Sequence, residues 1–189
     1  MKLTKIVMAA VAVTVIVIAA LFGTMAFIIF DLMSYTATGS ETLNPAGSAG
    51  KALVVYDPGL SGNAKSTAGC IADELKSKRY MVDLSGIRGR AAANTSGYDV
   101  IVVGGPVYAG NISSSIQSYM NSLEPSGNVC IGMFATGSVK EKMNDTVSLR
   151  KEIVPLPDDS PIRVKAIVKL VPEDDTGLKC AGFVNELLQ

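Results

Sequence analysis

The chain has 189 residues, with 17 basic and 17 acidic side chains, three Cys, no His and no Trp. Balanced charge excludes the strong positive field on which nucleic-acid binding relies. Without His the chain lacks the usual neutral-pH acid or base and the commonest metal ligand, and Cys70, Cys130 and Cys180 are too scattered for a zinc or dithiol motif.

A short basic N-terminus, 1–5, precedes Ile6 to Phe30, in which 25 residues carry no charge. As a helix this run measures roughly 37 Å, against a hydrocarbon core of about 30 Å, which predicts a transmembrane helix over 6–30. The apolar part of a cleaved signal peptide would be only about 7 to 15 residues long and would end at a small-residue site, so an uncleaved anchor is favoured. Lys2 and Lys5 precede the run, Asp31 follows it, and no basic residue returns until Lys51. The positive-inside tendency therefore predicts a single-pass cell-membrane protein, its N-terminus in the cytoplasm and the remainder extracytoplasmic.

Residues 31–50 read as a flexible linker. Their centre, SYTATGSETLNPAGSAG, is rich in Ser, Thr, Gly and Ala and has too few large apolar groups to offset chain entropy. The folded domain is predicted over 51–189, long enough for one core. It carries fifteen basic and fifteen acidic residues, two of each sign lying upstream.

Within the domain, Leu53 to Tyr56 is a short apolar run of the kind buried on both faces of a parallel sheet. Ala64, Ala68, Ile71, Ala72 and Leu75 follow at helical spacing. YMVDLSG reads as a second strand, RAAANTSG as at most a short helix, and Val100 to Val103 as the clearest strand of all. Ile116, Tyr119, Met120 and Leu123 mark a second helix, and NVCIGMFATGS holds a fourth strand. A weaker helix is expected over Val139 to Glu152. PIRVKAIVKLV alternates as an edge strand does, and Thr176 to Leu188 closes the chain as a helix with Ala181, Val184, Leu187 and Leu188 inward. Five alternations of strand and helix predict an open parallel sheet with helices on both faces.

In such sheets ligands bind beyond the carboxyl ends of the strands. Three loops rich in Gly and hydroxyl residues leave the predicted strands at that edge: DPGLSGNAK (57–65), GGPVYAGNISSS (104–115) and ATGS (135–138). In the first, Ser61 can cap free amides or bond a phosphate, and Gly62 and Asn63 allow a tight turn with amides exposed. Asp57 opposes an anion by like charge, and its own oxygens can occupy the loop amides instead. Pro58 has no amide to donate, and Ala64 contributes no hydroxyl. In the second loop, Tyr108 between Gly105 and Gly110 is an aromatic suited to stacking, or to packing on a neighbouring loop. Asn111 and Ser113 read as caps of the following helix. Asn94, Asn111 and Asn144 each begin an Asn-x-Ser/Thr sequon.

These loops carry a resemblance. YDPGLSGNAKSTAGCIADEL is similar to the phosphate loop of the flavodoxin-like family, GGPVYAG to its loop after the third strand, and FATGS to its loop after the fourth. The resemblance implies an α/β flavodoxin-like three-layer sandwich, with a five-stranded parallel sheet in the order 2-1-3-4-5, preceded here by the N-terminal transmembrane helix. It implies flavin mononucleotide (FMN) held by Ser61, Gly62, Asn63, Pro106, Val107, Tyr108, Ala109, Gly110, Thr136, Gly137 and Ser138, with no catalytic side chain and no metal. Asp57, Pro58 and Ala64 depart from the family's phosphate loop. The expected function is a membrane-tethered flavoprotein for electron transfer, or for reduction of a small acceptor, with a redox protein or a small quinone-like molecule as partner. The alternative is a flavodoxin-like module without FMN that serves as a tethered binding or scaffold domain. The family's fold also sets the first and last helices on one face, where Cys70 and Cys180 could approach; their inward-leaning positions favour two buried thiols.

Overall fold

The computed structural model describes residues 2–125, 127–138, 146–157 and 159–189. Residues 1–32 and 33–189 form two units, each taken by itself. The first consists of the greater part of helix α1, Lys2–Thr36. Among the described residues no helix is long and apolar enough to cross a membrane. This corrects the expected transmembrane helix over 6–30.

The second unit holds β1 (Ser40–Leu43), β2 (Gly50–Tyr56), α2 (Asn63–Ser77), β3 (Tyr80–Gly86), β4 (Val100–Tyr108), β5 (Asn111–Ile112), α3 (Ser114–Asn121), β6 (Cys130–Thr136), α4 (Thr146–Ile153), β7 (Val164–Leu170) and α5 (Thr176–Leu188). Strands β3, β2, β4, β6 and β7 run parallel in that spatial order. The expectation of a purely parallel, five-stranded sheet is corrected: the sheet is mixed and seven-stranded, because β1 adds antiparallel to β3 and β5 pairs antiparallel with β4. The part of the expected weak helix at 139–145, including the sequon at Asn144, lies outside the described residues; α4 occupies the rest. Residues 90–97 form turns rather than a helix.

The parallel strands read as continuous apolar runs because both faces are covered. On one face Val54, Val102 and Phe134 pack with α2 and α5 through Ala64, Ala68, Ile71, Leu75, Phe183, Val184 and Leu187. On the other, Leu53, Val55, Ile101, Val103 and Met133 pack with Ile116, Met120 and Ile153 of α3 and α4. Helix α2 forms because its apolar positions fall on one face, and Ala64, Ala68, Ile71, Ala72 and Leu75 are all fully buried. Strand β7 takes the edge, as its alternation suggested.

The stretch expected as a flexible linker contains β1. Its sequence, SETL, has no strand signature of its own, and it is held by side-chain chemistry from the neighbouring strands. The Thr42 hydroxyl donates to Asp83, and Tyr98 donates to the other carboxylate oxygen at 2.6 Å. Lys51 Nζ lies 3.3 Å from Asp83 Oδ2 and 4.4 Å from the centre of the Tyr98 ring. Burial alone would raise the Asp83 pKa, but hydrogen bonds from Thr42, Tyr98 and Lys51, together with the Lys51 charge, outweigh it and hold the carboxyl below its ordinary value. For Tyr98, burial followed by the Asp83 hydrogen bond and charge pushes the phenol strongly upward.

Cys70 in α2 and Cys180 in α5 are disulfide-bonded, with Cα atoms 6.2 Å apart. This corrects the expectation of two buried thiols: both cysteines lean inward, and because α2 and α5 share a face of the sheet they lean toward each other. Cys130 is free.

Two outcomes are expected. The bridge closes a loop with a sequence separation of 110, so oxidised Cys70→Ser protein should lose about 2–4 kcal/mol in denaturant unfolding, and a reductant should destabilise only the wild type. Asp83 is depressed in the folded state, so its contribution is complete above its unfolded pKa and is lost as pH falls through the folded one. Unfolding free energy measured from about pH 5 down to about pH 3 should fall more steeply in wild type than in Asp83→Asn; parallel curves would count against the cluster.

Candidate functional site

The order of the parallel strands reverses between β2 and β4, so the loops leaving these two strands flank the switch point of the sheet. Asp57, the first residue after β2, is only 2% exposed. Its amide donates to Gly104 O at 3.0 Å, continuing the pairing of β2 with β4. Its Oδ1 accepts the Gly59 amide at 3.1 Å, an Asx turn, and its Oδ2 accepts the hydroxyls of Ser113, at 2.8 Å, and Ser115. The carboxylate thus occupies a loop amide and bridges the switch point.

Gly59, with φ at +60°, brings the loop so close to β4 that a Cβ there would meet Pro106 Cγ at 2.8 Å and Tyr108 Oη at 3.1 Å. A side chain at Gly105 is excluded in the same way: its Cβ would lie 2.9 Å from Ile116 Cγ1 and 3.0 Å from Asp57 Cβ. These approaches explain why glycine stands at both positions.

Tyr108 is half-buried, and its hydroxyl accepts the Leu60 amide at 3.3 Å. Burial, and after it the Asp57 charge, raise the Tyr108 pKa, while the Leu60 bond acts the other way. Ala109 (φ 50°) and Gly110 (φ 79°) form the two-residue turn between β4 and β5, and Tyr108 pairs with Asn111 across it. Positive φ at both central residues matches the right-handed twist of a hairpin. The Asn111 side chain donates to Ala109 O at 3.4 Å. Ser113 takes the N-cap position of α3 without a side-chain cap bond, its hydroxyl being given to Asp57.

In the first loop, Ser61 and Asn63 are exposed, and the Asn63 amide donates to Ser61 Oγ at 3.3 Å. Gly62, in the left-handed region at φ 73°, is the N-cap of α2 and itself supplies no side-chain cap. The positive dipole end of α2 favours an anion, although its first amide, that of Asn63, is already given to Ser61 Oγ.

A cleft of about 640 Å³ opens between the second and third loops. Val107, Ala109, Gly110 and Asn111 line one side, Gly137 and Ser138 the other, and Ser148, Lys151, Glu152 and Lys169 complete it. Glu152 and Lys169 form an ion pair at 2.7 and 2.8 Å, their side chains 11% and 10% exposed. Lys169 runs beneath the third loop, its Cε 3.1 Å from where a Gly137 Cβ would stand. The Gly137 amide donates to Leu170 O at 3.1 Å, and Thr136 is buried at the end of β6.

The expected site residues thus fall into two groups. Val107, Ala109, Gly110, Gly137 and Ser138 share the cleft, whereas Ser61, Gly62 and Asn63 stand at the start of α2, with Pro106 and Tyr108 against their loop; Thr136 belongs to the strand. Sequence reasoning missed Ser115, which grips Asp57, and the pair Glu152 and Lys169. Lys169 had one usable signal, its place near the carboxyl end of a strand.

The fit to FMN is divided by the same line. The cleft has the room that a planar ring system requires, with Val107, Ala109, Gly110 and Gly137 as its apolar part and polar side chains around the rest. The start of α2 offers amides to a phosphate, while two loop amides upstream already serve Asp57 and Tyr108. Among the described residues no buried side-chain polar atom lacks a hydrogen-bond partner.

Comparison with known proteins places this geometry. Among solved structures, oxidised flavodoxin 2 from Bacillus cereus is 22% identical over 73% of this chain and 97% of its own, with a TM-score of 0.51. A flavodoxin from Streptococcus pneumonia TIGR4 gives 16% identity, the same 73% and 97% coverage, and a TM-score of 0.53. A metal-soaked flavodiiron core from Synechocystis is 17% identical, with 76% of this chain covered but only 36% of that one, and a TM-score of 0.53. At these identities the likeness is one of fold. A search of curated proteins finds no match. The model of the flavodoxin domain matches residues 54–164. Because that match spans more than half of the sequence, from the loop headed by Asp57 through the hairpin of Tyr108 to the start of β7, this chain belongs to the flavodoxin domain family.

Proposed function

We propose that this protein binds FMN and transfers electrons through it, as a carrier or as the reductant of a small acceptor. The observation that carries this reading is the cleft between Val107–Asn111 and Gly137–Ser138, at the carboxyl ends of neighbouring parallel strands, where an open α/β sheet binds its ligands. Bound FMN supplies one- or two-electron chemistry, so the chain needs no catalytic His or Cys.

The residues have separable tasks. Val107, Ala109 and Gly110 form one wall for the ring, with Gly137 and Ser138 opposite. Lys169, held by Glu152, places an ammonium at the cleft where a polar ring edge needs a donor. Gly62 offers its amide at the start of α2 to a phosphate, assisted by the helix dipole, and the Asn63 amide can join it by exchanging its bond to Ser61 Oγ. Tyr108 positions the first loop through the Leu60 amide. Ala109, Gly110 and Ser138 are exposed, so a redox protein or a small quinone-like acceptor has access to the rim of the cleft.

One observation favours a second reading, a flavodoxin-like binding module without cofactor: the Asp57 carboxylate and the Tyr108 hydroxyl already hold two amides of the phosphate loop.

Titration of the full chain with FMN separates the two. The first reading expects flavin absorbance in the visible range and quenching of free-flavin fluorescence; no change in either would leave the second. Ser138→Trp fills the cleft from an exposed position and should weaken FMN binding at least about tenfold, with the thermal midpoint little changed.

A further inference from the structure

We propose that Asp57 sets the ligand preference of this site: it lowers the affinity contributed by a phosphate, so that riboflavin, the flavin lacking that group, is held as well as FMN or better. The inference rests on the flavin reading above and deepens it.

The argument starts from the loop's donors. A phosphate is held by a succession of free backbone amides and hydroxyls. Here Pro58 has no amide, Gly59 donates to Asp57 Oδ1, and Leu60 donates to Tyr108 Oη. The upstream half of the loop is therefore closed by the chain's own oxygens, and in the part from Ser61 onward the Asn63 amide is already given to Ser61 Oγ, which leaves few donors to an incoming anion. Ser113 and Ser115, two further hydroxyls at this edge, point to Asp57 as well.

Charge acts in the same direction. A carboxylate and a phosphate in one loop repel each other, and the repulsion is poorly screened where water is excluded, as at a side chain 2% exposed. Asp57 also has little freedom to withdraw. Its amide is bonded to Gly104 O, its carboxylate is gripped from two elements, and the β4 backbone at Gly105 lies against its Cβ. A ligand ending in a neutral hydroxyl escapes this repulsion and loses few donors, because few are on offer. The ring cleft, which does not include Asp57, serves both ligands equally.

The test is a side-by-side fluorescence titration of the full chain with FMN and with riboflavin, using wild type, Asp57→Asn and Asp57→Ser. Wild type should bind riboflavin with a Kd equal to or below that for FMN. Asp57→Asn keeps the shape of the side chain without its charge and should move the ratio of the two Kd values at least about tenfold toward FMN. Asp57→Ser should move it in the same direction and serves if the Asn variant fails to fold by circular dichroism. A wild type that prefers FMN about tenfold or more overturns the inference and leaves the flavin reading intact, as does a ratio unchanged in folded variants. If wild type binds neither flavin but Asp57→Asn acquires FMN, Asp57 is upheld as the barrier to phosphate while the flavin reading fails for the natural chain. Binding of neither ligand by any of the three overturns both.

Discussion

The carboxylate of Asp57 joins the two loops on which the carboxyl edge of the sheet is built. Strands β2 and β4 are neighbours in space although α2 and β3 separate them in sequence, and the connections that leave them diverge at the switch point. Without a tie across that gap, the edge would present two independent loops. Asp57 closes it from one side by accepting the Gly59 amide and from the other by accepting the hydroxyls of Ser113 and Ser115. Pro106 and Tyr108 then seat against Gly59, and the hairpin turn at Ala109 and Gly110 comes next along the chain. The site is consequently divided: a bridged crevice at the switch, and an open cleft one strand farther along.

A second polar cluster organises the far side of β2. Asp83 gathers Thr42, Lys51 and Tyr98, which belong to three different segments, and so fastens a strand that has no packing signature of its own. The disulfide between α2 and α5 acts on the covering layer in a comparable way. Both are distant in sequence and adjacent in space, so each ties together parts that the hydrophobic core alone would hold less specifically.

How much was legible varies with the range of the forces involved. The helix at Ala64 to Leu75 and the strand at Val100 to Val103 could be read directly, because burial imposes a period of 3.6 on one and an unbroken apolar run on the other. The loops 104–115 and 135–138 were legible as turns leaving their strands from their glycines and hydroxyls. Asp57 was recognised as an anomaly, and its capacity to occupy a loop amide follows from Asx chemistry within three residues. Its bonds to Ser113 and Ser115 span more than fifty positions, and no local pattern announces them. Ser113 illustrates the difference well: by spacing it is a helix cap, and only the arrival of Asp57 takes its hydroxyl elsewhere. The cleft's ion pair was illegible for the same reason, since Glu152 and Lys169 lie on separate elements.

The sequence by itself determined the parts that depend on neighbouring residues: the alternation of strands and helices along the chain, the apolar face of α2, and the turn chemistry of the three loops. These follow from periodicity and turn chemistry, which act over a few residues. Tertiary structure alone decided that SETL is a strand, that Cys70 meets Cys180, that the Asp57 carboxylate bridges the switch point, and that Lys169 underlies the third loop. In each case the deciding interaction joins groups far apart in the chain, and its energy exists only once the sheet has brought them together.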